Sequence, residues 1–187
     1  VSVDLGATMP EPVRLDVLVA AAERLLAELL ALSSEPEVVV FGGRRYREGR
    51  RVGGGRRLTR PELAAQVVRP RSPEPSDGAF EFEVLDTEAA CVSMFVMDDE
   101  PTYALFSPMR TCEGVVLATS RALAAAECAG GEFRDEDIRM LVPPVTDPVQ
   151  VVERTRLTGS PRSGDFGDRC ERYLRQFRRL NGWPSSG

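Results

Sequence analysis

Residues 80–106 read FEFEVLDTEAACVSMFVMDDEPTYALF, and the alternation within them decides the fold. In residues 80–85, Phe80, Phe82 and Val84 alternate with Glu81, Glu83 and Leu85, the period of a strand with one buried and one wet face. Residues 90–97 are apolar on both parities through Cys91, Val92, Met94, Phe95, Val96 and Met97, as suits a central strand covered on both sides. Residues 102–106 supply a third strand. Connections as short as 86–89 and 98–101 predict antiparallel hairpins in a meander.

Working outward, residues 12–32 place Leu15, Leu18, Val19, Ala22, Leu25, Leu26 and Leu29 at three- and four-residue steps, with Asp16, Glu23, Arg24 and Glu28 between them. That spacing predicts an amphipathic helix with Pro12 in its first turn. Residues 1–5 and 37–41 read as flanking strands. Residues 110–129, rich in alanine, predict a second long helix ended by Gly130-Gly131. Both helices are expected on one face of the sheet, with Leu18, Leu25 and Leu29 against Val92, Met94 or Val96. Thr59 to Glu62 form a capping box opening a short helix to about residue 68. Asp135-Glu136-Asp137 predicts a further short helix start, and 132–134 a short edge strand.

These elements predict an α+β sandwich, with a mostly antiparallel sheet of about five or six strands and two long helices on one face. The order is similar to ferredoxin-like arrangements. Residues 1–144 form this domain. Residues 145–187 form a helical extension packed on it, with one helix opened by Asp147-Pro148 and another over 165–180. A homodimer contact through the extension is a further expectation.

Composition narrows the chemistry. Histidine and lysine are absent, and all 24 basic residues are arginine. Without histidine the usual general base and the commonest metal ligand are missing; without lysine, Schiff-base and P-loop chemistry are excluded. The arginine, alanine, glycine and proline content suits coding from a GC-rich genome. Cys91, Cys112, Cys128 and Cys170 form no C-x-x-C pair, which suits reduced thiols in a cytoplasmic protein. No apolar run reaches the ~20 residues of a membrane span, and the chain does not open on a secretory pattern. No motif calls for a cofactor.

The net charge of −5 is strongly segregated. Residues 1–43 carry two arginines against seven acids, 44–72 ten against two, 73–153 four against seventeen, and 154–187 eight against three. Arg44, Arg45, Tyr46, Arg47, Arg50, Arg51, Arg56 and Arg57 lie in one glycine-broken segment, and Arg172, Arg175 and Arg179 on one side of the last helix. Such surfaces fit electrostatic docking to an acidic protein. The leading expectation is a non-enzymatic protein-interaction module, of the kind in which an inhibitor or immunity protein binds its target. A nucleic-acid-binding protein using residues 44–57 is the alternative.

A small-molecule or metal-dependent enzyme using carboxylates is a third expectation. Glu81 and Glu83 share one strand face about 7 Å apart. The acidic runs 98–100 and 135–137 hold hard oxygen donors but lack EF-hand spacing. Cys112, near a helix start beside Arg110, is in place for a lowered thiol pKa; Cys91, Cys128 and Cys170 read as core.

Overall fold

Alternation in the meander translates directly into layers. In a computed structural model of the protein, residues 3–42, 46–47, 50–51, 55–68, 80–85, 87, 90–97, 102–158 and 165–177 are described, with backbone alone at 46–47 and 50–51. The elements in order are β1 (Leu5–Thr8), β2 (Val13–Arg14), α1 (Leu15–Leu30), β3 (Val38–Gly42), β4 (Tyr46–Arg47), β5 (Arg50–Arg51), β6 (Arg56–Arg57) and α2 (Arg60–Ala65). They continue with β7 (Val67–Val68), β8 (Phe80–Val84), β9 (Cys91–Met97), β10 (Tyr103–Pro108), α3 (Cys112–Ala129), β11 (Phe133–Arg134), α4 (Pro148–Thr155) and α5 (Phe166–Leu174).

One antiparallel sheet of seven strands runs β11-β1-β10-β9-β8-β3-β6, beside two-stranded ladders β2-β7 and β4-β5. The meander β8-β9-β10 is formed as expected, and the fold is a mixed α+β arrangement with no closed barrel among the described residues. The main sheet exceeds five or six strands because β6, two residues long, extends it at one edge; β11 at the other edge falls within 132–134, where a short edge strand is expected. β1 and β3, joined through α1, share the sheet but are separated by β10, β9 and β8.

One face of the sheet carries Leu5, Ala7, Ala104, Phe106, Val92, Met94, Phe82 and Val40, all with at most 1% exposure. The helices cover this face. α3 is the helix whose backbone comes closest to β1, β9 and β10, and α1 lies along α3. Leu18, Leu25 and Leu29 are buried, but the helix over the strand holding Val92, Met94 and Val96 is α3. Between sheet and helices, α3 is apolar nearly all round, from Val115 to Ala126, as a helix covered on every side requires. Thr119 and Ser120 in it satisfy their hydroxyls on the carbonyls of Val115 and Leu117. α5 closes the layer: Cys170, Tyr173, Leu174 and Phe177 belong to the same hydrophobic cluster. Arg169 donates to the carbonyls of Leu30 and Ala31, the unsatisfied C-terminal end of α1.

Several boundaries differ from expectation for local reasons. α1 begins at Leu15 because residues 13–14 extend to pair with β7, leaving Pro12 outside the helix. That pairing also ends α2 at Ala65, leaving Val67 exposed. The first described strand is residues 5–8, with residues 3 and 4 outside it, since it is held between β10 and β11; residues 1 and 2 of the expected strand lie outside the described residues. Residues 135–141 form no helix: the Asp135 carboxylate folds forward to accept from the amides of Ile138, Arg139 and Met140, and Arg139 takes a φ of 52°. α5 ends at Leu174 rather than at 180. The capping box, the Asp147 cap with Pro148 and the left-handed Gly130 cap are present as expected. Gly131 follows because its α-carbon lies against β1: a Cβ there would stand 1.9 Å from the Thr8 carbonyl oxygen. Residues 69–78, 98–100 and 181–184 lie outside the described residues.

Candidate metal centre

Among the described residues no helix packs on the opposite face of the sheet, and sheet register places its side chains in rows. Glu83 pairs with Cys91 across β8 and β9, and Val39 pairs with Glu83 from β3. Glu81, two residues before Glu83, lies diagonal to Cys91 and between Phe41 and Ser93. Partners directly opposite on neighbouring antiparallel strands point to the same face, so two carboxylates and one thiol are brought together by register alone. Their ligand atoms all lie within 4.8 Å of one another.

That spacing corrects two expectations. Cys91 is half-buried on the helix-free face, not in the core, because its parity is that of Ser93 and not of Val92. Glu81 is only 5% exposed on a face expected to be wet, whereas Glu83 is partly exposed. A zinc-type ion with bonds of about 2.0–2.3 Å draws tetrahedral donors to roughly 3.3–3.8 Å apart. The cluster reaches that by side-chain rotation of about 1 Å, within the range of glutamate rotamers. Two hard oxygens with one soft sulfur suit a borderline dication better than Mg²⁺ or Ca²⁺, which take all-oxygen sets.

The other candidates do not join this cluster. Asp135 is engaged by the three amides named above, and burial pushes its carboxyl up from the usual range. Asp137 accepts from the amide of Asp4. Cys112 is the first residue of α3, but burial and the neighbouring Glu113 push its thiol up, opposite to the lowered pKa expected of a nucleophile. Cys170 is buried, and Cys128 is partly buried against the core.

Among the arginines expected to meet a partner, Arg56 pairs with Glu62 and Arg57 with Glu37. Arg175, at the C-terminal cap of α5, pairs with Glu171, and Arg172 is exposed. Tyr46, Arg47, Arg50 and Arg51 form the β4-β5 ladder, Tyr46 opposite Arg51 and Arg47 opposite Arg50. Arg44, Arg45 and Arg179 lie outside the described residues.

One charged group was not legible as special: Arg121, in the middle of α3, has no exposure. Its guanidinium lies over the Phe82 ring at 4.8 Å, and its three nitrogens have no hydrogen-bond partner among the described residues. Glu23 on α1 is the acid that acts on it; burial dominates and pulls the guanidinium down to about 9. A single arginine inside an otherwise apolar helix was the available signal.

Among the described residues, no helix is long and apolar enough to cross a membrane. Comparison with protein-family models, curated proteins and solved structures finds no match to this chain.

Proposed function

We propose that the protein is metal-dependent and holds a zinc-class dication on the helix-free face through Glu81, Glu83 and Cys91. The observation that carries the reading is the convergence of the three ligand atoms within 4.8 Å on adjacent, fully paired strands. Three protein donors leave a coordination position for water or substrate, the pattern of catalytic rather than structural zinc. A dication there would lower the pKa of its bound water toward about 7, so hydrolysis is the reaction class.

The test is titration of the metal-free protein with Co²⁺ and Zn²⁺. Co²⁺ should produce a thiolate charge-transfer band in the near ultraviolet, lost in Cys91→Ser, and Zn²⁺ affinity should fall at least about tenfold in Glu83→Gln. Saturating Zn²⁺ at about 100 times its Kd should stabilise the chain by about 2.7 kcal/mol. No band and no stabilisation, or binding unchanged in Cys91→Ser and Glu81→Gln, would refute the site.

A second reading, a surface for another protein, draws on Leu85, Phe95 and Met97, which are 39%, 39% and 36% exposed on the same face. It relies on apolar anchors rather than on the arginines. It predicts that Phe95→Ser with Met97→Ser abolishes co-precipitation of any protein the unaltered chain captures specifically.

A further inference from the structure

On the helix side of the sheet edge, a cleft of about 650 Å³ opens between α1, β3 and the β6-α2 segment. Its volume falls in the range of small-molecule pockets, which combine apolar walls with a few placed polar groups. Val19, Val38, Val40, Leu58 and Leu63 supply the apolar walls. Five charged residues line it: Asp16, Glu23, Glu37, Arg57 and Arg60. Three of these are already matched, Asp16 with Arg14 and Glu37 with Arg57. Glu23 on α1 and Arg60 on α2 make no ion pair among the described residues, and they are of opposite sign.

Glu23 is fixed in place. One carboxylate oxygen accepts from the amide of Val38 at 2.8 Å, locking the side chain across the edge of β3. Burial pushes the Glu23 carboxyl up from the usual range, while the Val38 amide and Arg121, which faces it from the core without lining the cleft, act in the opposite direction and favour the ionised carboxylate. The second oxygen retains acceptor capacity, since a carboxylate offers about four lone-pair positions. Arg60 is exposed at the start of α2 and presents a fork suited to a carboxylate.

From these observations we propose that the cleft binds a small zwitterion with an apolar body, an apolar amino acid or a dipeptide of such residues. Its ammonium group pairs with Glu23, its carboxylate with Arg60, and its side chain lies on Leu58 and Leu63. This site is independent of the metal cluster, which lies on the other face of the sheet.

The experiment is isothermal titration of the full chain with L-leucine, L-leucyl-L-leucine, isoamylamine and 4-methylpentanoate. At least one of the two zwitterions should bind, and each single-charge analogue should bind at least about tenfold more weakly. Glu23→Gln keeps the acceptor for Val38 and should weaken the zwitterion about tenfold while leaving 4-methylpentanoate unchanged. Arg60→Ala changes an exposed side chain, so the fold is retained, and it should weaken the zwitterion while leaving isoamylamine unchanged. Absence of binding by both zwitterions at millimolar concentration would overturn the proposal. So would equal binding of all four probes, or a zwitterion affinity untouched by Arg60→Ala.

Discussion

The guanidinium of Arg121 is enclosed without a hydrogen-bonding partner among the described residues, and replacing it with methionine is expected to raise stability. Burial draws its pKa from the ordinary arginine range down to about 9. At about 1.4 kcal/mol for each tenfold change in ionisation, keeping the group charged inside the fold costs about 5 kcal/mol. Part of this is returned by the Phe82 ring at 4.8 Å, worth about 2 kcal/mol for a desolvated pair. Methionine keeps the aliphatic stem but leaves a small void, costing about 1 kcal/mol. The balance favours Arg121→Met by about 2 kcal/mol, or a Tm increase of roughly 4–8 °C for a chain of this size.

The pH dependence separates this account from a packing effect. Because the folded pKa lies below the unfolded one, the unfolded chain binds more protons above about pH 9, and wild-type stability rises with pH from there until the unfolded chain's arginine also titrates. The advantage of Arg121→Met should therefore be constant below pH 9 and shrink by about 1.4 kcal/mol per pH unit above it. It should vanish near pH 10.5. Urea unfolding of both proteins at pH 7, 9.5 and 10.5, repeated on a Glu23→Gln background, measures this directly. A variant less stable than wild type by more than about 2 kcal/mol at pH 7, or a gap unchanged at pH 10.5, would refute the reasoning.

Two further outcomes follow from local geometry. Gly131→Ala should cost about 3 kcal/mol, because its Cβ meets the backbone oxygen of Thr8 at 1.9 Å and displaces β1. Gly130→Ala, with open space around it but a φ of 63°, should cost only about 1 kcal/mol; urea unfolding ranks the pair, and equal costs would contradict the close approach. Arg56 and the Thr59 amide and hydroxyl hold the Glu62 carboxyl down at about 2. Its contribution to stability is present above the usual 4.5 and lost as pH falls toward 2. Carboxyl NMR should show that low midpoint, and Arg56→Ala should return it toward the ordinary value.

Sheet parity was the most legible property of this chain. Alternation in residues 80–84 and the short turns specified β8, β9 and β10, and the same parity rule puts Glu81, Glu83 and Cys91 on one face. In the sequence Cys91 reads as core because its neighbours are apolar on both parities, and composition masks its register. β1 is displaced for the converse reason: Gly6 and Ala7 at its centre carry little β-propensity, and pairing on both sides makes the segment a strand. The stretch after Asp135 resembles a capped helix, yet one carboxylate satisfies three successive amides and offers the backbone a competing turn. Residue spacing gives no warning of the Glu23 and Arg60 cleft, since it depends on elements far apart in sequence, and the one sign of Arg121 is its place inside an otherwise apolar helix. Seven strands replaced the expected five or six because the two-residue β6 has no periodicity to detect, whereas β11 falls within residues 132–134, where a short edge strand is expected.

The place of β1 between β10 and β11 governs the order of assembly. Its partners lie about a hundred or more residues downstream, and Asp4 reaches Asp137 across a separation of 133. During synthesis the N-terminal strand must therefore wait, unpaired, until β10 and β11 have left the ribosome, while β8 and β9 can already zip together. Long-range closure of this kind slows folding. The short, small-residue sequence Leu5–Thr8 is well suited to that wait, since it offers a nascent chain little apolar surface for wrong pairing.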